Sequence, residues 1–213
     1  MQTHLEQAQC LLKKGIVCLP LRADGKHLDI ARMGYEPVHL KTMRKDLKEL
    51  AFNSITFHFA QKPPDHATIS NWFSGHQGNI GILGGAGDLV ILDFDSTADH
   101  DAWCRRHRAV ADAAPRAMTP GGCHVFLRLP MPLKSSSMHL GLRRAGHIKA
   151  LGGYVVSSPS VVQGEAYTWL PGRSLLEVEP PMVADLASVS LRPVSPIKQG
   201  YDRLMRRGSF ELQ

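Results

Sequence analysis

Two aspartates at the end of an apolar run are the residues of this sequence best suited to chemistry. Residues 89–95 read LVILDFD, so Asp93 and Asp95 are separated only by Phe94. A β-strand here places both carboxylates on one face and Phe94 on the other, in the core. Carboxylates this close repel each other unless a cation lies between them, and Mg²⁺ binds through one or two carboxylates plus substrate phosphates. We therefore predict a metal site at Asp93 and Asp95; a solvated strand end is the alternative.

A glycine turn leads to the next candidate group. The segment 119–124, TPGGCH, runs from a Pro-Gly-Gly turn into a strand, and glycines let phosphates approach backbone N–H groups closely. Gly121 and Gly122 are predicted to contact phosphate, with the imidazole of His124 beside them. A structural histidine is the alternative. Cys123 and His124 cannot form a nucleophilic pair because neighbouring strand residues point to opposite faces.

A third polar group comes later in the chain. His147 and Lys149 are two residues apart and share a face if they lie on a strand, and Ser160 follows Pro159 in a predicted turn. One more sheet element with a polar edge is the simpler interpretation of this group.

Spacing excludes several familiar metal and nucleotide loops. An EF-hand loop starting at Asp93 needs Gly and Glu where the chain has Ala98 and Cys104. The glycines at 84–87 precede a strand rather than a helix, so they lack the geometry of a dinucleotide-binding loop. There is no GxxxxGK[ST] sequence and no CxxC pair, which argues against a P-loop, a zinc ribbon and a redox motif.

Positive charge is concentrated in the middle of the chain. The 213 residues carry 25 Lys and Arg against 19 Asp and Glu, a net charge of +6, which weakly favours anionic partners. Within residues 103–149 the single acidic residue is Asp112. The cations of this stretch are Arg105, Arg106, Arg108, Arg116, Arg128, Lys134, Arg143, Arg144 and Lys149. Interleaved Gly, Pro and Ser predict a phosphate-binding surface here, against the alternative of a solvated face.

Short helices and strands must position these groups. Helical spacing predicts helices at 5–14, 42–50, 65–73 and 97–110. Strands are predicted at 16–21, 52–59, 79–83, 89–95, near 118, at 123–129, within 146–157 and at 167–170. The glycines at 84–87 predict a hairpin between the strands that flank them. Residues 22–41 are predicted to form a long loop, and the Pro-, Ser- and Arg-rich segment from 180 onward a surface-wrapping or mobile tail. Strands linked by both turns and helices indicate an α+β fold.

Composition and charge order favour a cytoplasmic location. With 43% hydrophobic residues, the chain has the composition of an ordinary globular protein. No apolar run reaches the length of a membrane span, and the order of charges in residues 1–14 is not that of a signal peptide. We expect a cytoplasmic protein with no membrane partner and one domain of catalytic size.

Six segments together resemble the archaeo-eukaryotic primase superfamily, specifically the N-terminal domain of bifunctional DNA primase/polymerase (prim-pol) replication proteins of plasmids, phages and archaea. In order, they are KKGIVCLPL, ISNWF, NIGILGG, LVILDFDS, TPGGCHVFLRLP and GGYVVSSPS. The resemblance implies the prim-pol fold, in which an α/β N-terminal module, about 1–78, packs on an RRM-like catalytic lobe, 79–179. The active site lies between them, and 180–213 is a tail or linker.

The resemblance also implies a chemistry, two-metal transfer of NTP or dNTP onto a single-stranded DNA template. Asp93 and Asp95 are implied to hold Mg²⁺ or Mn²⁺, His124 to contact the incoming triphosphate, and Lys149 and Ser160 to lie near the nucleotide. Arginines implied to contact nucleic acid are Arg105, Arg106, Arg128, Arg143 and Arg144. A replicative helicase, encoded separately or in a longer chain, is the implied protein partner.

One position departs from the family pattern. Two residues before Lys149, where the family usually has a third acid, this chain has His147. Imidazole is a poor ligand for Mg²⁺ but an acceptable one for Mn²⁺. Either His147 changes the metal preference, or another acid such as Glu165 replaces it, or the chain only binds nucleotide or DNA.

Two rival classes remain. LVILDFDST also resembles the opening motif of haloacid-dehalogenase-like phosphatases, but these need an acid pair downstream, and no adjacent acids follow Asp101. The second rival is a catalytically weakened prim-pol-fold protein that only binds single-stranded DNA or nucleotide.

Overall fold

The computed structural model describes residues 3–35 and 45–194. Helix α1, His4–Lys13, begins with a capping box in which the Thr3 hydroxyl accepts a hydrogen bond from Glu6 N and the Glu6 carboxylate accepts one from Thr3 N. The chain leaves the helix through Gly15 at a φ of +72°, a conformation that favours glycine. The helix predicted at 5–14 is confirmed.

Helix α2, Lys45–Gln61, occupies the place of the strand predicted at 52–59, which is wrong. The predicted helix at 42–50 continues into α2, and its first residues, 42–44, lie outside the described residues. Ile55 is buried, and Phe52 and Phe59 pack against the same core. These spacings of three and four residues place the apolar side chains on one helical face.

Helix α3, His66–Phe73, confirms the helix predicted at 65–73. Asp65 caps it by accepting a hydrogen bond from Thr68 N at 2.7 Å. Within the predicted loop at 22–41, residues 22–35 form turns, and 36–41 lie outside the described residues.

A small antiparallel sheet lies beside these helices. Its strands, β1 (Cys18–Pro20), β2 (Ile80–Leu83) and β8 (Tyr154–Ser157), follow the order β1–β2–β8. Side chains of the helices and of this sheet share one buried cluster that includes Trp72 and Phe73.

The hairpin predicted across the glycines at 84–87 is wrong. Strand β3, Leu89–Phe94, belongs to a second sheet and does not pair with β2. The Gly84 N–H donates to the Gly153 carbonyl, and a Cβ on Gly85 would lie 2.4 Å from the Leu151 Cα. The glycines therefore pack against another backbone segment and carry the chain from one sheet to the other.

The second sheet has seven antiparallel strands with β3 at its centre. Besides β3 it contains β4 (Arg116–Met118), β5 (Cys123–Arg128), β6 (Ser136–Leu140), β7 (Arg143–Lys149), β11 (Thr168–Trp169) and β12 (Leu191–Val194). The order is β11–β4–β5–β3–β7–β6–β12. Strands β9 (Val161–Val162) and β10 (Glu165–Ala166) form a separate ribbon.

Two short helices pack on one face of the large sheet. They are α4, Thr97–Arg106, and α5, Arg108–Ala113, which together replace the single helix predicted at 97–110. Trp103 on α4 is fully buried and lies against Phe94, with 5.7 Å between the ring centroids. This contact shows that the face of β3 that carries Phe94 packs against α4.

The chain after residue 180 belongs to the core at least as far as residue 194, so the predicted tail is wrong for this stretch. Val183, Leu186 and Val189 are buried in the cluster around Trp103, whose Nε1 donates to the Val189 carbonyl at 2.9 Å. β12 then pairs with β6 at the edge of the sheet. Apolar residues interspersed among Pro and Ser supply this packing.

The combination of helices with mainly antiparallel sheets confirms the predicted α+β class. The proposed boundary near residue 78 stays a prediction. Across residues 3–35 and 45–194, the structure has no helix with the length and apolar character needed to cross a bilayer.

Candidate functional site

The candidate carboxylates lie beside two histidines at the centre of the large sheet. Asp93 is directly opposite His124 on β5 and directly opposite His147 on β7. Directly opposite residues share a face, so these three side chains form a row across three strands. Asp95 lies two residues further along, and Phe94 between them is buried on the other face. The predicted arrangement of the carboxylates is confirmed.

His124 orients Asp93. Its Nε2 lies 3.3 Å from Asp93 Oδ1, and its side chain is only 5% exposed. A carboxylate can only accept here, so Nε2 carries the proton. The other ring nitrogen, Nδ1, is buried without a hydrogen-bond partner among the described residues. A phosphate oxygen could accept from Nδ1 only when the ring carries its second proton.

Asp93 is held in its charged form. Burial alone raises the pKa of a carboxyl group, but the hydrogen bond from His124 and the electrostatic interactions with His124, Lys149 and His147 outweigh it, so the pKa of Asp93 is lowered. Near neutral pH, Asp93 therefore acts as a fixed negative charge.

Asp95 faces two basic side chains of β7. Arg144 Nη2 lies 3.6 Å from Asp95 Oδ2, and His147 Nδ1 lies 3.6 Å from Asp95 Oδ1. Arg144 Nη2 also donates to His147 Nε2 at 2.8 Å, which places the proton of a neutral ring on Nδ1. Burial, together with the charges of Lys149 and Arg144, lowers the pKa of His147 despite the opposing effect of Asp95 and Asp93. His147 is thus uncharged at neutral pH.

These groups open into a cavity of about 850 Å³. Predicted site residues that line it are Asp93, Asp95, Gly121, His124, His147 and Lys149. A volume of this size holds a ligand as large as a nucleotide.

The glycine turn before β5 approaches the carboxylates closely. A Cβ on Gly122 would lie 2.1 Å from the Phe94 carbonyl oxygen, whereas a Cβ on Gly121 would meet nothing nearer than Asp95 O at 3.8 Å. Gly121 lines the cavity, while Gly122 is buried against the end of β3 and does not line it. The two adjacent glycines therefore have different surroundings.

Two further lysines line the cavity: Lys134, which belongs to the basic stretch 103–149 predicted to bind phosphate, and Lys26, which sequence reasoning missed. The Tyr154 hydroxyl donates to the Lys26 carbonyl at 3.1 Å, and Lys26 Nζ lies 6.0 Å from the centre of the Tyr167 ring. Lys26 comes from an irregular segment without periodicity, so no local signal marks it. Only tertiary folding brings it to the aspartates.

Ser160 lies outside the cavity. It is 1% exposed, accepts a hydrogen bond from Ile80 N at 2.9 Å and donates one to Ile80 O. These contacts tie the segment after β8 to β2, and its placement gives no support to a nucleotide contact. Glu165, the candidate replacement acid, lies exposed on β10 and does not line the cavity either.

The five candidate nucleic-acid arginines do not form one patch. Arg144 contacts the site, and Arg143 beside it pairs with Asp99 at the start of α4. Arg105 and Arg106 lie exposed in the last turn of α4. The fifth arginine, Arg128, donates to the carbonyls of Gly87 and Lys14, so it links the end of β5 to the residue after α1.

Comparison with known families separates the prim-pol class from the phosphatase class. The family model of the bifunctional DNA primase/polymerase N-terminal domain, Prim-Pol, matches residues 8–184. The chain belongs to the Prim-Pol family. No curated protein matches this Prim-Pol chain. Membership points to DNA primase/polymerase activity in general, with DNA and nucleotides as substrates.

The residues of this Prim-Pol site fit a divalent metal. Two carboxylates open to the cavity from one face, with an uncharged imidazole beside them. Mg²⁺ commonly uses one or two carboxylates and completes its coordination with water and phosphate. Within the described ranges, no group of three or more His, Cys, Asp or Glu could hold a metal ion by itself. A metal bound here would be held by Asp93 and Asp95, with water and phosphate as its other ligands.

Proposed function

We propose that this Prim-Pol domain transfers nucleotides from NTP or dNTP onto a chain paired with a single-stranded DNA template, in a metal-dependent reaction. One observation carries the proposal. Asp93 and Asp95 share one face at the edge of an 850 Å³ cavity whose other walls supply the lysines Lys26, Lys134 and Lys149. Carboxylates beside cations suit a substrate that combines a metal ion with a polyphosphate.

Asp93 and Asp95 would hold Mg²⁺ or Mn²⁺, two ions in the arrangement that the family resemblance implies. The metal supplies charge stabilisation of the phosphoryl group and lowers the pKa of the attacking hydroxyl. Asp93 contributes a permanent negative charge, because the pKa of its carboxyl is lowered. His124 keeps that carboxylate oriented through the 3.3 Å contact of Nε2.

The three lysines of the cavity bind the triphosphate in this proposal. They approach from three segments: Lys26 from the loop after β1, Lys134 from the segment before β6, and Lys149 from the end of β7. Cations from several directions neutralise the spread-out charge of a leaving pyrophosphate. The backbone of Gly121, open to the cavity, lets a phosphate approach closely.

The wider setting belongs to the same proposal. We assign the chain to a replication system of the plasmid, phage or mobile-element type, acting in the cytoplasm with a helicase as partner. At the level of the fold, we propose that the large sheet with α4 and α5 corresponds to the RRM-like lobe of the family.

Incorporation of labelled NTP and dNTP on single-stranded DNA tests the proposal, with and without an annealed primer, in Mg²⁺ and in Mn²⁺. We expect products from the wild type and a loss of at least about 100-fold in Asp93→Asn and in Asp95→Asn. Glu165→Gln is the matched control, because Glu165 is an exposed acid away from the cavity. Full incorporation by both aspartate variants would contradict the site assignment.

A second candidate function is binding of DNA or nucleotide without catalysis. The contacts of Arg144 and His147 with Asp95 favour it, since they place basic groups where a metal must bind. This candidate predicts no product in any lane while single-stranded DNA still binds in a salt-dependent manner. The same assay therefore separates the two functions.

A further inference from the structure

The two-residue loop between β6 and β7 exposes a leucine to solvent. Leu142 is 94% exposed, the highest value among the large apolar side chains of the described residues. Leu140 pairs with Arg143, and Gly141 has a φ of +64°. The first central residue of a type II′ turn requires such a positive φ. A loop this short cannot fold its side chain back onto the sheet, so Leu142 projects outward.

Basic side chains surround this hairpin tip, which we define as residues 141–144. Arg144 is 49% exposed beside Asp95, whereas the neighbouring Arg143 points to the opposite face of the sheet and pairs with Asp99 of α4. In the strand register Arg144 is opposite His139, which is opposite Arg192 on β12. Directly opposite residues share a face, so the exposed Arg192 continues the basic surface to the sheet edge.

We propose that the hairpin tip is a nucleic-acid contact in which Leu142 packs against a base of a single strand while Arg144 and Arg192 hold its phosphates. The inference rests on the proposed function, for which it names a contact residue. A strand bound along these arginines reaches Asp95 directly, because Arg144 Nη2 is 3.6 Å from that carboxylate.

The chemistry of the surface favours a nucleic-acid strand as the occupant. Arginines bind phosphate irrespective of sequence, and apolar side chains pack against or between bases. A single leucine among cations offers too little apolar area for a stable protein interface. On a single strand the same side chain contacts one unstacked base face, which is a sequence-tolerant interaction.

Binding of a labelled oligo-dT, followed by fluorescence anisotropy without nucleotides or metal, tests the inference on the full chain. We expect Leu142→Ser to weaken binding about tenfold without changing its salt dependence. Arg192→Gln should reduce the slope of log K against log salt by roughly 0.7. Met131→Ser is the matched control, because Met131 is 72% exposed and lies outside the hairpin tip.

An abasic strand of the same length separates a base contact from a structural effect. Leu142→Ser and the wild type should bind this strand equally, since no base remains for Leu142 to contact. Leu142→Trp gives an independent readout: its emission should change on adding oligo-dT but not on adding the abasic strand. Wild-type affinity of Leu142→Ser for oligo-dT, or an equal loss on both strands, would overturn the inference.

The incorporation assay keeps this inference distinct from the proposed function. Normal incorporation by the wild type together with unchanged oligo-dT binding by Leu142→Ser would overturn the inference and leave the function standing. Leu142-dependent binding without incorporation in any lane would support the inference and overturn the catalytic proposal. Failure of the wild type to bind oligo-dT would overturn the inference directly.

Discussion

At the scale of single residues, His147 places a nitrogen ligand rather than an oxygen ligand beside Asp95. Its ring is uncharged near neutral pH because burial and the neighbouring cations lower its pKa. One nitrogen faces Asp95 and the other accepts from Arg144. The imidazole can coordinate a metal only through a nitrogen lone pair, so it must give up the Arg144 contact, and the nitrogen ligand it then supplies suits Mn²⁺ better than Mg²⁺.

Replacing this ring by a carboxylate should therefore change metal preference. We expect His147→Asp to raise the Mg²⁺-supported rate of incorporation relative to the Mn²⁺-supported rate, on the order of tenfold. The measurement is the ratio of initial rates in the two metals. His58→Asp is the control, because His58 is exposed on α2 outside the cavity. An unchanged ratio would place His147 outside the metal's coordination.

At the scale of elements, the end of β3 and the turn before β5 pack together through Gly122. A Cβ on Gly122 would lie 2.1 Å from the carbonyl oxygen of Phe94, the residue between the two aspartates, whereas a Cβ on Gly121 is unobstructed. Gly122→Ala must push the turn or the strand aside, and we expect it to lower the free energy of unfolding by roughly 2–3 kcal/mol. Gly121→Ala should stay within about 0.5 kcal/mol of the wild type.

Urea unfolding of both variants, with incorporation measured alongside, checks this pair. Gly122→Ala should also lose incorporation because displacement at Phe94 moves both carboxylates. Equal stability of the two variants would mean that the turn does not support β3.

The same elements show what a single sequence can predict. The alternation in LVILDFD placed both aspartates on one face, because strand periodicity is local. Pairing is not local: β3 pairs with β5 and β7 rather than with β2, and the glycine-rich segment between β2 and β3 mimics a hairpin turn. Lys26 could not be predicted for the same reason, since only tertiary folding brings it to the cavity.

At the scale of the whole molecule, two buried clusters lie on opposite faces of β3, and the later part of the chain completes one of them. Leu89 and Ile91 belong to the cluster shared with the small sheet, while Val90 and Leu92 belong to the cluster with α4 and α5. Residues 183–191 add side chains to this second cluster. The segment 183–191, whose composition suggests a tail, therefore packs on the sheet face opposite to the one that carries Asp93.

Truncating one side chain in residues 183–191 measures how much this segment contributes to the free energy of unfolding. Leu186 is 6% exposed, so we expect Leu186→Ala to lower the free energy of unfolding by about 2–4 kcal/mol through lost burial and the cavity it leaves. Met182→Ala in the same segment is the control: Met182 is 56% exposed, and its truncation should cost less than about 0.5 kcal/mol. Urea unfolding gives both values. If the segment were a free tail, the two variants would have the same free energy of unfolding. A packed segment gives them different values, because only a side chain removed from water in the folded state stabilises that state.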